Sequence, residues 1–397
     1  MRFKEFDDDW NKFNLGKISN IKKGFTPSTK NKEFWQNGEF NWLSISDMGE
    51  KYIFTTKKKI TKKALKNREI IPKNTLLMSF KLTIGKLGIL KKDMYTNEAI
   101  ANFQWKNDKI CTEFMYYYLS TLNIKKYGSQ AAKGITLNND TLNSIPVFLP
   151  SHNEQIKISK FLSLIDEKID LLEKKYENQL KFSKKFLNEV MNNKYTINNF
   201  NNQVYVIKLK DIGKTYSGLS GKNKSDFNKG NSKYIPYVSI FENYVLNTDE
   251  VESVDIKESE NQNNVKKGDI FFTGSSETPE EVGMASVLTK NIKNCYLNSF
   301  CFGFRLNSKE DYNSLFLVYY FRSLKFKKIL CKLAQGSTRF NLSKKELMKQ
   351  KIEIPSIDEQ NYYANIITLL FKKAKKYKLQ INYLKQFKKG LLQKMFV

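Results

Sequence analysis

The longest periodic stretches of the chain follow Pro150 and Pro355. Stepping by threes and fours from Ile158 selects Ile158, Leu162, Ile165, Ile169, Leu172, Tyr176, Gln179, Ser183, Phe186 and Val190, eight of them apolar. Adding 205 selects Tyr363, Ile367, Leu370, Ala374, Tyr377, Ile381, Leu384, Lys388, Leu391 and Met395, nine of them apolar. An apolar stripe at this spacing covers one side of a helix, and about five heptads of it predict a coiled-coil seam. A helix of about 38 residues spans roughly 57 Å. The matched registers predict that the two helices pair with each other. Asp166, Glu167, Asp170, Glu173 and Glu177 on the first helix face Lys372, Lys373, Lys375, Lys376 and Lys378 on the second in that expectation.

The offset of 205 is part of a repeat. Residues 145–155 read IPVFLPSHNEQ and 352–360 read IEIPSIDEQ, so Pro150, Ser151, Glu154 and Gln155 align with Pro355, Ser356, Glu359 and Gln360. Ser151-x-x-Glu154 and Ser356-x-x-Glu359 each have the form of a capping box, in which both side chains satisfy free N–H groups of the first turn. Upstream, FMYYYLST (114–121) matches FLVYYFRS (316–323), LLMS (76–79) matches IFFT (270–273), and NLGKISNIKKG (14–24) matches KLKDIGKTYSG (208–218). The chain is two tandem copies of one unit, each a globular part followed by a long helix. Short β-rich runs (Leu76–Phe80, Ile270–Phe272) mix with helical patterns (Thr112–Leu122, Tyr312–Leu324), which reads as α+β. The division is 1–150 and 204–354 for the globular parts, 151–191 and 355–397 for the helices, and 192–203 for an Asn-rich linker.

Charge narrows the choice of partner. The 397 residues include 68 Lys and Arg against 40 Asp and Glu, a net +28, while 40% hydrophobic residues suffice for folded cores. Such an excess points to a polyanion, either nucleic acid or an anionic membrane surface. A membrane-surface scaffold leaves two equally β-rich globular copies unexplained. Only Arg2, Arg68, Arg305, Arg322 and Arg339 are arginine. The first residues lack the apolar region of a signal peptide, and no run approaches 18 apolar residues. Cys111, Cys295, Cys301 and Cys331 are scattered, which suits a reduced, cytoplasmic protein. His152 is the only histidine, which excludes multi-histidine metal sites. No phosphate loop, dinucleotide fingerprint or Asn/Asp-Pro-Pro-aromatic motif is present, and no catalytic centre emerges.

Three loops per copy carry binding chemistry instead. The first contributes Thr26, Ser28 and Lys30 in copy one and Ser220, Lys222 and Lys224 in copy two. The second contributes Lys81 and Thr83, then Ser275 and Ser276; the third contributes Ser129, Gln130 and Lys133, then Gln335, Ser337, Thr338, Arg339 and Asn341. Glycines and short polar side chains admit phosphates, Lys and Arg neutralise them, and Gln, Asn and Arg read base edges. Arg339 suits bidentate contact with guanine, with a phosphate contact as the open alternative. Loops that differ on a repeated scaffold suggest two different sequences being read.

The P-S-x-x-E-Q start before each long helix and the LGKISNIKKGFTPS opening resemble the specificity subunit of a type I restriction-modification system, over essentially the whole chain. In copy two Gly24-Phe25-Thr26-Pro27 is replaced by Gly218-Leu219-Ser220-Gly221. The resemblance implies two target recognition domains and an antiparallel coiled coil of the two helices, with Ile158, Leu162, Ile165, Ile169, Leu172 and Tyr176 facing Ile367, Leu370, Tyr377, Ile381 and Leu384. It implies double-stranded DNA as ligand, one half of a bipartite site per domain, with the coil setting the gap. It implies two methylation subunits carrying S-adenosylmethionine, restriction subunits carrying ATP and Mg, and no catalytic residue, metal or cofactor on this chain. A stand-alone pseudo-dimeric DNA-binding regulator is the competing reading.

Overall fold

The computed structural model describes residues 1–81, 83–131, 134–195 and 203–396, and of 129–131 and 134–136 the backbone only. Lys133 and most of the predicted linker lie outside the described residues. Two compact units are formed, Met1–Glu173 with Leu379–Val397, and Lys174–Lys378. The division runs through both long helices, His152–Met191 and Ile357–Met395.

In the first unit the main sheet has five strands in the order Ser19–Lys23, Ile100–Trp105, Leu76–Ser79, Leu87–Leu90, Tyr52–Ile53. In the second it has four, Gly213–Ser217, Cys301–Leu306, Ile270–Thr273, Ala285–Val287. Each unit adds a three-stranded sheet with one parallel pairing, Trp42 on Tyr95 and Lys233 on Cys295 respectively. Each copy is closed by an antiparallel pair that joins its start to the strand feeding its helix: Asn11–Asn14 on Pro146–Leu149, and Tyr205–Lys208 on Lys351–Ile354. Gly24 and Gly218 end equivalent first strands because the neighbouring chain leaves no room there. A Cβ would lie 1.9 Å from the Thr96 carbonyl oxygen and 2.1 Å from that of Asn298.

The matched helical patterns Thr112–Leu122 and Tyr312–Leu324 fold differently in the two copies. Thr112–Thr121 is one helix, but the second copy breaks at Arg322–Ser323 into Ser314–Phe321 and Leu324–Leu333. Ser323 explains the break, because its hydroxyl caps the Phe326 N–H and restarts the helix.

The long helices use their predicted stripe. Ile158, Leu162, Ile165, Ile169, Ile367 and Ile381 are buried, and Leu172, Tyr176, Leu370, Tyr377 and Leu384 half-buried. The helices run antiparallel. In the first unit Lys388 pairs with Asp166, and Lys385 with Glu173 at 2.6 Å. In the second, Gln179 Nε2 donates to the Leu370 carbonyl at 3.4 Å and Lys378 lies 5.5 Å from the Tyr176 ring centre. Antiparallel running sets the 372–378 lysines beside residues near 176–179, so the acids at 166 and 173 meet lysines two turns further on. At the far ends the helices enter the globular cores. Leu187, Val190 and Met191 pack with Phe316, Tyr363 and Ile367, and Phe396 lies against Trp10 and Phe114.

The repeated P-S-x-x-E-Q start seats each helix on its globular part. Gln155 is 3% exposed; its Oε1 accepts the Cys111 N–H at 2.9 Å and its Nε2 donates to the Pro150 carbonyl at 3.1 Å. Gln360, 1% exposed, does the same to the Asn313 N–H and the Pro355 carbonyl, both at 3.0 Å. Cys111 and Asn313 are the N-cap residues of the helices Thr112–Thr121 and Ser314–Phe321. The glutamine therefore ties the start of one helix to the start of another. The predicted capping boxes are half made. Ser151 and Ser356 accept from Glu154 and Glu359 N–H groups, each at 3.4 Å, but the carboxylates turn elsewhere. Glu154 receives both forks of Arg2 at 2.7 Å, and Glu359 takes the Ser356 hydroxyl at 2.9 Å. A buried carboxylate gains more from a guanidinium than from one backbone N–H.

The contact between globular part and helix differs in chemistry between copies. In the first, Lys51 donates to the Tyr117 hydroxyl at 2.8 Å and to Ser163 at 2.9 Å, and Tyr117 donates to Asp166 at 2.6 Å. Burial pushes the Lys51 ammonium down to about 8. In the second, Tyr319 meets Thr368 at 2.9 Å, while Phe371 stands where Asp166 would and packs on Tyr244 with ring centres 4.8 Å apart.

Replacing Gln155 or Gln360 by alanine leaves an N–H and a carbonyl in largely buried surroundings without these partners, at about 1–3 kcal/mol each. Urea unfolding of Gln155→Ala and Gln360→Ala is expected to show a loss of roughly 2–4 kcal/mol per variant. A loss below about 0.5 kcal/mol would show that the glutamine is not what seats the helix.

Candidate nucleic-acid interface

In copy two the three loops that the sequence singles out converge. The second and third belong to one small sheet, in which Ser275 pairs with Asn341, Ser276 with Phe340, and Gln335 with Asn341. Ser337, Thr338 and Arg339 form the exposed turn of its hairpin. Gly336 makes that turn possible, with φ +131° and space for no Cβ, which would lie 2.1 Å from the Arg339 carbonyl oxygen. The first loop joins through a hollow of about 440 Å³ whose walls include Ser220, Gly274, Ser275, Phe300, Asn341 and Lys344. Lys344 bonds Ser217, the last residue of the strand leading into that loop, at 2.7 Å.

Not every candidate side chain faces solvent. Lys222 is folded inward, its side chain 5% exposed and its ammonium 2.5 Å from Glu260. Hydrogen bonds from Lys222 and Gln262 hold the Glu260 carboxyl down to about 2. Lys222 thus braces its loop, and its charge is already matched. Gln262 braces the same loop, donating to the Ser220 carbonyl at 2.8 Å. Ser276 is 7% exposed and donates to Glu281 at 3.1 Å. Lys224 is exposed at a short helical turn.

In copy one Thr26, Ser28 and Lys30 are exposed, with Thr26 donating to Glu98 and the Ser28 carbonyl accepting from the Trp35 indole at 3.0 Å. Lys81 and Thr83 are exposed, and the Thr83 carbonyl accepts from Ser79. Ser129 and Gln130 lie in a strand that pairs with Gly134–Thr136; Lys133 lies outside the described residues.

The arginines sort themselves by partner. Arg2 is held by Glu154. Arg305 grips Asp269, itself 1% exposed, at 2.7 Å. Arg322 donates to the carbonyls of Ile240, Phe241, Asn243 and Ala285, and burial lowers its guanidinium to about 10. Arg68 and Arg339 are exposed and make no side-chain hydrogen bond or ion pair among the described residues. Each lies over a phenylalanine ring, Arg68 at 5.4 Å from the centre of Phe25 and Arg339 at 5.9 Å from that of Phe300. Sequence reasoning missed Arg68, Phe300 and Lys344. The available signal for Arg68 was the rarity of arginine in a lysine-rich chain.

Among the described residues no group of three His, Cys, Asp or Glu side chains is placed to hold a metal ion, and no helix is long and apolar enough to cross a membrane. His152 Nδ1 lies 2.7 Å from the Lys109 carbonyl oxygen, in a structural contact at the start of its helix.

The family model described as "Type I restriction modification DNA specificity domain" matches residues 7–181 and again 201–385. The MjaIX specificity subunit of Methanocaldococcus jannaschii is 33% identical over 191 residues, 45% of this chain and 43% of that protein. The EcoR124I/EcoR124II specificity subunit of Escherichia coli is 26% identical over 200 residues, 45% of this chain and 48% of that protein. The matched region thus spans less than half the length of these relatives. A crystal structure of a type I system S subunit from M. genitalium superposes with a TM-score of 0.61 at 16% identity, over 100% of this chain and 97% of that one. The HsdS subunit of Thermoanaerobacter tengcongensis superposes at 0.51 and 15% identity, over 98% and 97%. At these identities the superpositions show a shared fold.

Arginines used by the fold and arginines left to a ligand respond differently to truncation. Arg305→Ala takes the guanidinium from a buried carboxylate that keeps only the Tyr216 hydroxyl and the Lys266 N–H, and is expected to cost roughly 3 kcal/mol in thermal unfolding. Arg68→Ala and Arg339→Ala are expected to stay within about 0.5 kcal/mol of the parent. A large stability loss on removing Arg339 would assign it to the fold.

Proposed function

The chain belongs to the family of type I restriction-modification DNA specificity domains, and from that premise we propose that it is the DNA-recognition subunit of such a complex, reading a bipartite duplex with one half per copy. The observation that carries this reading is the convergence of three loops on one face of copy two, on a framework that copy one repeats with different loop residues. Chemistry is supplied by partners in this reading: S-adenosylmethionine on methylation subunits, and ATP with Mg on restriction subunits. Two methylation subunits are supported by apolar residues left on the outside of the helices. Leu164 and Phe387 are 63% and 54% exposed in the first unit, and their repeat equivalents Leu369 and Phe182 are 65% and 54% exposed in the second. Two like patches suit two copies of one partner.

Methylome sequencing of a host that co-expresses the chain with its methylation partner is expected to show one split adenine-methylated motif with unlike halves. A continuous or fully palindromic motif would contradict the proposal. DNA binding without any methylation partner, and no methylated motif with one, would favour the stand-alone regulator.

The antiparallel pair is also proposed as the ruler for the gap between half-sites. Seven residues advance a helix by about 10.5 Å, close to three base pairs. A heptad inserted after both Leu172 and Tyr377 keeps the seam in register. It is expected to widen the unspecific gap by about three base pairs while both half-sites stay the same. An active, folded variant with the gap unchanged would remove the helices from that role.

A further inference from the structure

Equivalent turns in the two copies treat an aromatic side chain in opposite ways. In copy one the turn Asn97–Ile100 is held by Asn97 Oδ1, which accepts the Ala99 N–H at 3.1 Å, and by the Phe80 N–H on the Ala99 carbonyl at 3.0 Å. Ala99 is 5% exposed and Phe80 is 2% exposed. In copy two the same two bonds recur. Asn298 Oδ1 accepts the Phe300 N–H at 2.8 Å, and the Gly274 N–H bonds the Phe300 carbonyl at 2.8 Å. The phenylalanine has left the buried position, now Gly274, and stands at the crest of the turn, where Phe300 is 57% exposed.

At this crest the ring gives up the burial that Phe80 has in copy one, while its backbone is held on both sides by the turn bonds. It is a fin between two hollows, the one of about 440 Å³ described above and another of about 270 Å³ lined by Tyr237, Phe241, Ser275, Glu277, Glu281 and Arg339. Arg339 lies over one side of the ring, its guanidinium 5.9 Å from the centre. Lys344 lines the other hollow, its ammonium 2.7 Å from the Ser217 hydroxyl, so each hollow beside the fin has a cation in its wall. Glu277 opens on the same hollow as Arg339, and a carboxylate there repels phosphate, so this hollow suits base edges rather than the DNA backbone. Among base edges, an apolar ring complements the thymine 5-methyl group in the major groove.

We propose that Phe300 is a specificity-determining residue of the second copy: its ring contacts the 5-methyl of a thymine near the guanine that Arg339 reads. Guanidinium and ring are neighbours, 5.9 Å apart, so the thymine is sought within two base-pair steps, about 3.4 Å each, of that guanine. The proposal rests on the DNA-recognition reading and deepens it by naming the base contact.

The test uses the chain assembled with its methylation subunits. The wild-type motif comes first, and if no bipartite motif forms, the DNA-recognition reading itself fails. With a motif in hand, Arg339→Ala identifies the guanine by the position that relaxes. Kd is then measured on duplexes carrying thymine or deoxyuridine one or two steps away. Loss of the methyl is expected to weaken wild-type binding about fourfold. Phe300→Ala is expected to bind the thymine duplex about fourfold more weakly and to make no distinction between thymine and deoxyuridine. Phe300→Leu, still apolar, is expected to keep the distinction. The proposal is overturned if the second half-site has no such thymine, or if the deoxyuridine penalty persists in Phe300→Ala. It is also overturned if Phe300→Ala binds its methylation subunits more weakly while the motif it still directs is unchanged, which would make the ring a protein contact.

Discussion

A buried glutamine holds the start of each long helix, and the rest of the architecture depends on it. Gln155 and Gln360 each take the free N–H at the cap of a neighbouring helix and return a bond to the carbonyl of the preceding proline. The glutamine side chains are buried and the groups they bond are at least half-buried, so a side chain with one acceptor and one donor suits the place. The glutamine thereby sets the angle at which a rod of about 40 residues leaves a globular part. The adjacent glutamate is less constrained, paired with Arg2 in one copy and with Ser356 in the other.

With the rods seated in the same way, the two copies diverge in what lies against them. Copy one fastens its globular part through Lys51, Tyr117, Ser163 and Asp166, and Lys388 of the other helix joins at Asp166. Copy two uses Tyr244, Tyr319 and Phe371. A buried ammonium needs its hydroxyl and carboxylate partners, and an aromatic cluster cannot offer them. The two contacts are therefore not interchangeable, and each half of the helix pair is matched to its own globular part.

The same logic governs the charged surface. Most of the +28 charge is lysine, which suits attraction to a polyanion without demanding geometry. The arginines are placed where a planar fork matters: on Glu154, on Asp269, across four carbonyls, and over the rings of Phe25 and Phe300. In the proposed reading charge attracts a duplex, and the exposed groups among the loops of copy two are left to distinguish one base pair from another.

The repeat, the two long helices with their seam and the α+β character were all legible in the sequence, since each rests on periodicity or on local cap chemistry. The loops were legible only as candidates. Lys222 and Arg339 look alike in sequence, each a cation beside glycine and serine, yet one is matched by Glu260 from 38 residues away and the other stands clear. Glu154 reads as a cap residue, but its partner is Arg2, 152 residues away in the chain. Phe300 carries no mark in the sequence, because its exposure depends on Gly274 replacing the buried aromatic that copy one has at Phe80. Periodicity and caps are decided within a few residues of chain. Which cation is neutralised, and which ring is left in solvent, depends on distant segments that only the folded chain brings together.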